Sequence, residues 1–228
     1  MIKKSAREHI LSKLRKNTGF SNEDFSNSPD IKHRGLAWSD PGAECEALKT
    51  TLNNLAVVFQ TPEDKKETEQ FLNMILDTHS IRSCVAWDHP LIESSGIPEI
   101  LGSKGILFRN RFQDKADFKS YCSQADLGIT AADAIVEESG TVVTRAKRGW
   151  ERATSLLPPV HLALISVEKR LFGISDLPWL FAHWTNNEGG LPSAVHLISG
   201  PSKTADIEFN LVLGVHGPKA VYVLGMRF

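Results

Sequence analysis

Apolar positions recur along this chain in two rhythms. Between residues 2 and 16, Ala6, Ile10 and Leu14 fall four apart with Leu11 beside them, and Lys3, Lys4, Arg7, Lys13, Arg15 and Lys16 crowd the other positions. That spacing predicts a basic amphipathic helix. Two readings fit it: an arm that packs one stripe on its own domain, or a face for a membrane surface or a partner protein. Residues 17–42 lose the rhythm and fill with Ser, Asn, Asp, Gly and Pro. They predict an extended connector with Phe20, Phe25 and Trp38 as apolar anchors.

From about residue 43 the two rhythms alternate. Residues 43–55 predict a helix and 57–59 a short strand. Thr61-Pro62-Glu63-Asp64 has the composition of a helix start, with a hydroxyl cap, proline at the first position and acids in the first turn. That helix runs to about Thr78 and buries Phe71, Leu72, Ile75 and Leu76. Strands follow at 83–87 and 106–108, a helix at 115–123 and a strand at 127–130. The rhythm then changes: 134–136, 141–143 and 161–165 predict strands with only turns between them, and Glu138-Ser139-Gly140 has hairpin chemistry. A helix at 175–183, a strand at 195–198, a helix at 204–213 ended by Gly214 and a last strand at 221–224 complete the pattern. Alternating βα units with a hairpin insertion predict an α/β layered fold with a mixed sheet.

Composition narrows the function. The 228 residues are 41% hydrophobic and 23% charged, and 26 basic against 27 acidic residues leave a net charge of −1. That balance offers no field for nucleic acid. No apolar run approaches the roughly 18 residues of a membrane span. Two lysines near Met1 lack the apolar core of a secretory signal, so the expected compartment is the cytoplasm. Cys45, Cys84 and Cys122 stand far apart without a C-x-x-C pair, which predicts no zinc, iron–sulfur or dithiol chemistry in this chain.

The densest chemistry lies at Ile198-Ser199-Gly200-Pro201-Ser202-Lys203-Thr204-Ala205-Asp206-Ile207-Glu208. A strand that turns through glycine into a helix start leaves backbone N–H groups for an anion. Ser202 and Thr204 add hydroxyls, Lys203 a charge, and Asp206 a carboxylate in the first turn. A well-capped helix with no ligand fits the same residues. Ser202 occupies the position where a phosphate-binding P-loop needs glycine. Glu137 and Glu138 precede the turn at Gly140. A carboxylate there can act as nucleophile or base; equally, one glutamate faces solvent and the other pairs with Arg145 or Arg152. His216, in Gly214-Val215-His216-Gly217-Pro218, is a candidate proton carrier, and His161 reads as structural.

Together these segments resemble a known family. Gly128-Ile129-Thr130-Ala131-Ala132-Asp133-Ala134-Ile135-Val136-Glu137-Glu138-Ser139-Gly140-Thr141 resembles the G-I-T-x-A-D-x-x-I-A-E-T-G-T stretch of the LUD domain. Arg152 with Leu156-Leu157-Pro158 is similar to the arginine and proline-ended apolar entry of that family. The segment from Ile198 to Glu208 is similar to its I-S-G-P-S-R-T-A-D-I-E signature, with Lys203 for arginine, and 214–218 matches its G-V-H-G-P. On this basis residues 1–42 are an N-terminal basic helix and connector, and 43–228 the LUD domain.

The resemblance implies a NagB/RpiA/CoA-transferase-like fold. It also implies a place in oxidising L-lactate to pyruvate, as a non-cluster subunit beside iron–sulfur partner proteins, with no cofactor of its own. In that reading an anionic small molecule or a partner binds through Gly200, Ser202, Lys203, Thr204, Asp206, Arg152 and Thr141, and Glu138 and His216 move protons. Two alternatives stand: an independent CoA-transferase-like or isomerase-like enzyme, because Glu138-Ser139-Gly140 resembles the glutamate element of those enzymes, and a structural binding module.

Overall fold

The computed structural model describes Trp38 and residues 45–147, 149, 151–188, 191–205 and 211–227, all within a unit spanning Trp38–Phe228. The predicted helix at 2–16 and the connector, apart from the exposed Trp38, lie outside the described residues.

Helix α1 (Glu46–Asn54) buries Leu48 and Leu52, four apart, and leads through Ala56, at φ 61°, into strand β1 (Val57–Gln60). Helix α2 (Lys65–His79) is capped by Asp64, whose carboxylate accepts from the Glu67 N–H at 2.8 Å. The Glu67 carboxylate returns to the Glu63 N–H at 2.9 Å. The cap therefore sits three residues beyond the predicted Thr61, because Asp64 is extended and reaches the third N–H of the first turn. The helix buries Phe71, Leu72, Ile75 and Leu76, as their spacing predicts.

Strand β2 (Ser83–Ala86) is followed by two helices absent from the sequence reading, α3 (Pro90–Ser94) and α4 (Ile97–Ser103). Both are too short to show a helical period. Next come β3 (Leu107–Arg109), α5 (Lys115–Cys122), β4 (Leu127–Ala131), and the hairpin of β5 (Ala134–Val136) and β6 (Thr141–Ala146). A 3-10 turn (Arg152–Ser155), β7 (Val160–Ser166), β8 (Arg170–Leu171), a second 3-10 turn (Ile174–Asp176), α6 (Leu177–Asn187) and β9 (Ala194–Ile198) continue the chain.

The described residues of the predicted helix at 204–213 are strand, not helix. Strands β10 (Lys203–Ala205) and β11 (Leu211–Leu213) pair antiparallel there, with Thr204 opposite Val212. The Gly214 N–H donates to the Ser202 carbonyl and the Ser202 N–H to the Pro218 carbonyl, both at 2.9 Å. These non-local bonds hold the stretch after Gly200 extended, and the Leu-Val-Leu run suits a strand. Strand β12 (Ala220–Met226) ends the fold.

The fold is the expected layered α/β one, with its strands shared between a parallel and a mixed sheet and the β10–β11 ladder. Six are all parallel, in the order β1-β12-β7-β4-β2-β3; four form a mixed sheet, β8-β5-β6-β9. Every residue of β4 is buried, as a parallel strand covered on both faces requires. On one face Leu127, Ile129, Leu162 and Leu164 pack with Leu72 and Ile75 of α2, Ile92 of α3 and Leu101 of α4. On the other, Ala163, Ile165 and Val223 pack with Leu48 and Leu52 of α1 and with Ile135 and Val142 of the second sheet. Val85, pointing opposite to its neighbours in β2, meets Cys122, Phe118 and Tyr121 of α5.

Candidate functional site

Three signature segments far apart in sequence meet at the start of β6. The Thr141 hydroxyl, almost wholly buried, lies 2.7 Å from that of Ser139 and 2.8 Å from that of Ser199. Gly200 follows at φ 103°, and a Cβ there would sit 2.8 Å from the Leu55 carbonyl oxygen. A Cβ at Gly140, at φ 61°, would come equally close to the Leu55 side chain. Both glycines serve left-handed backbone and a close approach to the end of α1. Ser202 is bonded through its backbone to Gly214 and Pro218, which joins the His216 loop to the same knot.

Within this knot the predicted residues differ in what they reach. Thr141, Gly200 and Ser202 are brought together; Lys203 in β10 and His216 are exposed, and Thr204 takes its place in the ladder. Asp206 lies outside the described residues. Glu138 is exposed, and its carboxylate accepts weakly from the Ile174 N–H at 3.3 Å. Its neighbour Glu137 pairs at 2.9 Å with the buried Arg170, not with Arg145 or Arg152. No hydrogen bond or ion pair joins Glu138 to His216 among the described residues. Since no helix starts after Gly200, and the Ser202 N–H already has a backbone partner, the helix-start basis for an anion grip there is lost.

Arg152 stands apart from the knot. Strands β6 and β9 pair from Val142 opposite Ile198 to Ala146 opposite Ala194, about 14 Å of ladder. At the Ala146 and Ala194 end opens a cleft of about 1550 Å³, and Arg152 lines it. Asp88, just beyond β2, and Asn110 to Phe112, just beyond β3, form its floor at the carboxyl ends of the parallel strands. In this sheet β2 leads outward to β3 while β4 leads on towards β7 on its other side. The connections diverge between β2 and β4, a common ligand position in open α/β sheets, and Asp88 carries the cleft to the β2 side of that point.

Among the described residues, five cations line the cleft, Arg111, Lys115, Lys119, Lys147 and Arg152, against the three carboxylates Asp88, Asp114 and Glu151. Arg111 bridges Asp88 at 3.1 Å and Glu93 at 3.4 Å. The loop beneath is braced by Arg109, which is bidentate to Asp117 at 2.6 and 3.1 Å and stacks 4.7 Å from the Phe112 centroid and 4.8 Å from that of Tyr121. Gly128 sets the opposite wall. A Cβ at that position would collide with the Thr154 carbonyl, so only glycine in β4 lets the 3-10 turn carrying Arg152 lie against the sheet.

A buried charge network supports the same end of the fold. Arg145 Nε donates to Asp133 at 2.7 Å, and its Nη1 to Glu188 at 2.6 Å, with the Trp184 ring 4.4 Å from the guanidinium. Burial raises the pKa of Asp133, against the opposing pull of Arg145. For His89, burial first, then the positive charges of Lys169, Arg145 and Lys147, lower the pKa to about 4. Burial alone lowers that of His161 to about 4, with its Nε2 2.8 Å from the Thr130 hydroxyl. Burial raises the thiol of Cys84, and takes that of Cys122 up to about 12. Both thiols are therefore poor nucleophiles. No group of three or more His, Cys, Asp or Glu among the described residues is placed to hold a metal ion, and no described helix is long and apolar enough to cross a membrane.

Sequence reasoning missed the cleft itself. Lys115, Phe118 and Lys119 stand three and four apart on one face of α5, a spacing visible in the sequence but with nothing to mark it as a wall. Asp133 lay inside a quoted signature, yet its partner Arg145 is set by the hairpin and not by adjacency.

Fold and signature segments together define a LUD-domain protein: the model of the LUD domain matches residues 45–224, and the chain belongs to this family. Among its relatives it is 31% identical to lactate utilization protein C of Halalkalibacterium halodurans over 225 residues, 94% of this chain and 92% of that one. It is 34% identical to lactate utilization protein C of Shouchella clausii over 189 residues, 80% of each chain. The crystal structure of a DUF162 family protein from Deinococcus radiodurans shares the fold, with a TM-score of 0.54 at 18% identity over 79% of this chain and 94% of that one.

Proposed function

We propose that this chain serves lactate utilization as a non-cluster subunit that holds an anionic small molecule in the cleft between α5 and the Ala146–Ala194 end of the second sheet. The pathway is supported by relatives named lactate utilization protein C that match across most of their length. The binding role is carried by one observation: among the described residues, five cations and three carboxylates line a cleft at the carboxyl ends of β2 and β3. Of the predicted anion-binding residues, Arg152 is the one that belongs to it. Iron–sulfur proteins remain its partners in this reading, and supply the electron carriers for lactate oxidation.

Deletion of the gene, in a host with no duplicate, should abolish growth on L-lactate, and the wild-type gene should restore it. Alleles carrying Arg152→Gln or Lys119→Gln should restore it poorly. Alleles carrying Glu138→Gln or His216→Asn should restore it fully; their failure would move the chemistry to the hairpin and the His216 loop. Unimpaired growth of the deletion strain would end the pathway assignment.

A further inference from the structure

The cleft is built for more than a three-carbon acid. At about 1550 Å³ it exceeds the 300–1,000 Å³ of pockets that enclose drug-sized ligands, and lactate or pyruvate would occupy one corner of it. The charge is spread over two walls: Lys115 and Lys119 on α5, and Lys147 and Arg152 beyond β6. Between the two lysines, on the same helical face, Phe118 lines the cleft, half-buried. Its ring is held edge-to-face against Phe112, with centroids 5.2 Å apart and planes at 77°. Phe112 is in turn fixed from below by Arg109. Half-buried aromatic rings in the lining, flanked by cations on both walls, suit a ligand with a flat ring and more than one phosphate charge.

We infer that the cleft takes a ligand of the nucleoside diphosphate class, its base against Phe118 and its phosphates among Lys115, Lys119, Lys147 and Arg152. This rests on the anion-binding reading of the cleft and goes beyond it by naming the ligand chemistry.

Titration calorimetry of the full-length protein with ADP, pyrophosphate and L-lactate separates the two levels. ADP should bind at least tenfold more tightly than pyrophosphate, and L-lactate more weakly than either. In Phe118→Leu, which keeps apolar volume but removes the flat surface, the ratio of ADP to pyrophosphate affinity should fall towards one. Arg152→Gln and Lys119→Gln should each weaken both phosphate ligands severalfold. If ADP binds no better than pyrophosphate, or Phe118→Leu leaves the ratio intact, the nucleotide assignment is overturned while the anion site stands. If neither phosphate ligand binds, the anion-binding reading itself fails.

Discussion

The hydroxyls of Thr141 and Ser199 lie 2.8 Å apart, 58 residues distant in sequence, and tie the hairpin signature to the turn at Gly200. Ser139 closes a three-hydroxyl chain at 2.7 Å. Two of the family's motifs are thus halves of one partly buried contact. Thr141→Val keeps shape and removes the shared hydroxyl, leaving two seryl hydroxyls without it. A loss of about 1–2 kcal/mol is expected in urea unfolding. No loss would mean that the chain of hydroxyls contributes nothing net.

Gly200 makes a second demand at the same place. Alanine there must accept φ 103° and displace the Leu55 carbonyl from 2.8 Å. Gly200→Ala should cost about 2 kcal/mol or more. Gly102 is the matched control: it lies within α4, at ordinary φ, and a Cβ would meet nothing within 4 Å. Gly102→Ala should stabilise the protein by about 0.5–1 kcal/mol. Equal effects from the two substitutions would contradict the packing argument.

Arg145 has two carboxylate partners and an aromatic face in a nearly sealed setting. Arg145→Met should cost about 3–5 kcal/mol, because Asp133 is left buried without its counter-charge. Adding Asp133→Asn should recover part of that loss by removing the stranded charge. The two single variants and the double variant form a thermodynamic cycle, and strict additivity would show that the pair is not coupled.

Acid should weaken the fold through its buried imidazoles. An unfolded histidine titrates near 6.5, whereas burial holds His161 near 4. Between those values the unfolded chain binds more protons, so stability falls as pH falls. The contribution is complete above pH 6.5 and is lost progressively down to about 4. His89 works in the same direction, through burial and then its three cationic neighbours. At pH 5 the fully buried His161 should have forfeited about 2 kcal/mol, and the half-exposed, solvent-screened His89 clearly less. His161→Gln should flatten the dependence of the urea midpoint between pH 7.5 and 5; an unchanged slope would remove His161 from the account.

The types of most elements were legible without the structure, since they follow from local spacing. Leu48 and Leu52, or Phe71, Leu72, Ile75 and Leu76, announce a helix face whatever it packs on. The hairpin at Gly140 and the family signatures were legible for the same reason: each is written in contiguous residues. What the local pattern could not hold were choices made by distant backbone. The stretch after Gly200 has helix-start chemistry, but the Pro218 carbonyl takes the Ser202 amide, the Ser202 carbonyl takes that of Gly214, and the chain pairs as strands β10 and β11. Glu137 has several arginines in reach along the sequence, and β8, pairing beside β5, supplies Arg170. Arg152 reads as part of the same site as Thr141, yet the ladder of β6 and β9 sets them at opposite ends. The cleft is assembled from the ends of β2 and β3, one face of α5 and a 3-10 turn admitted by Gly128. Sequence alone determined most of the elements and the family. The parallel order of the six strands decided which charges face one another, because strand partners are chosen by long-range burial and hydrogen bonding, which no local spacing records.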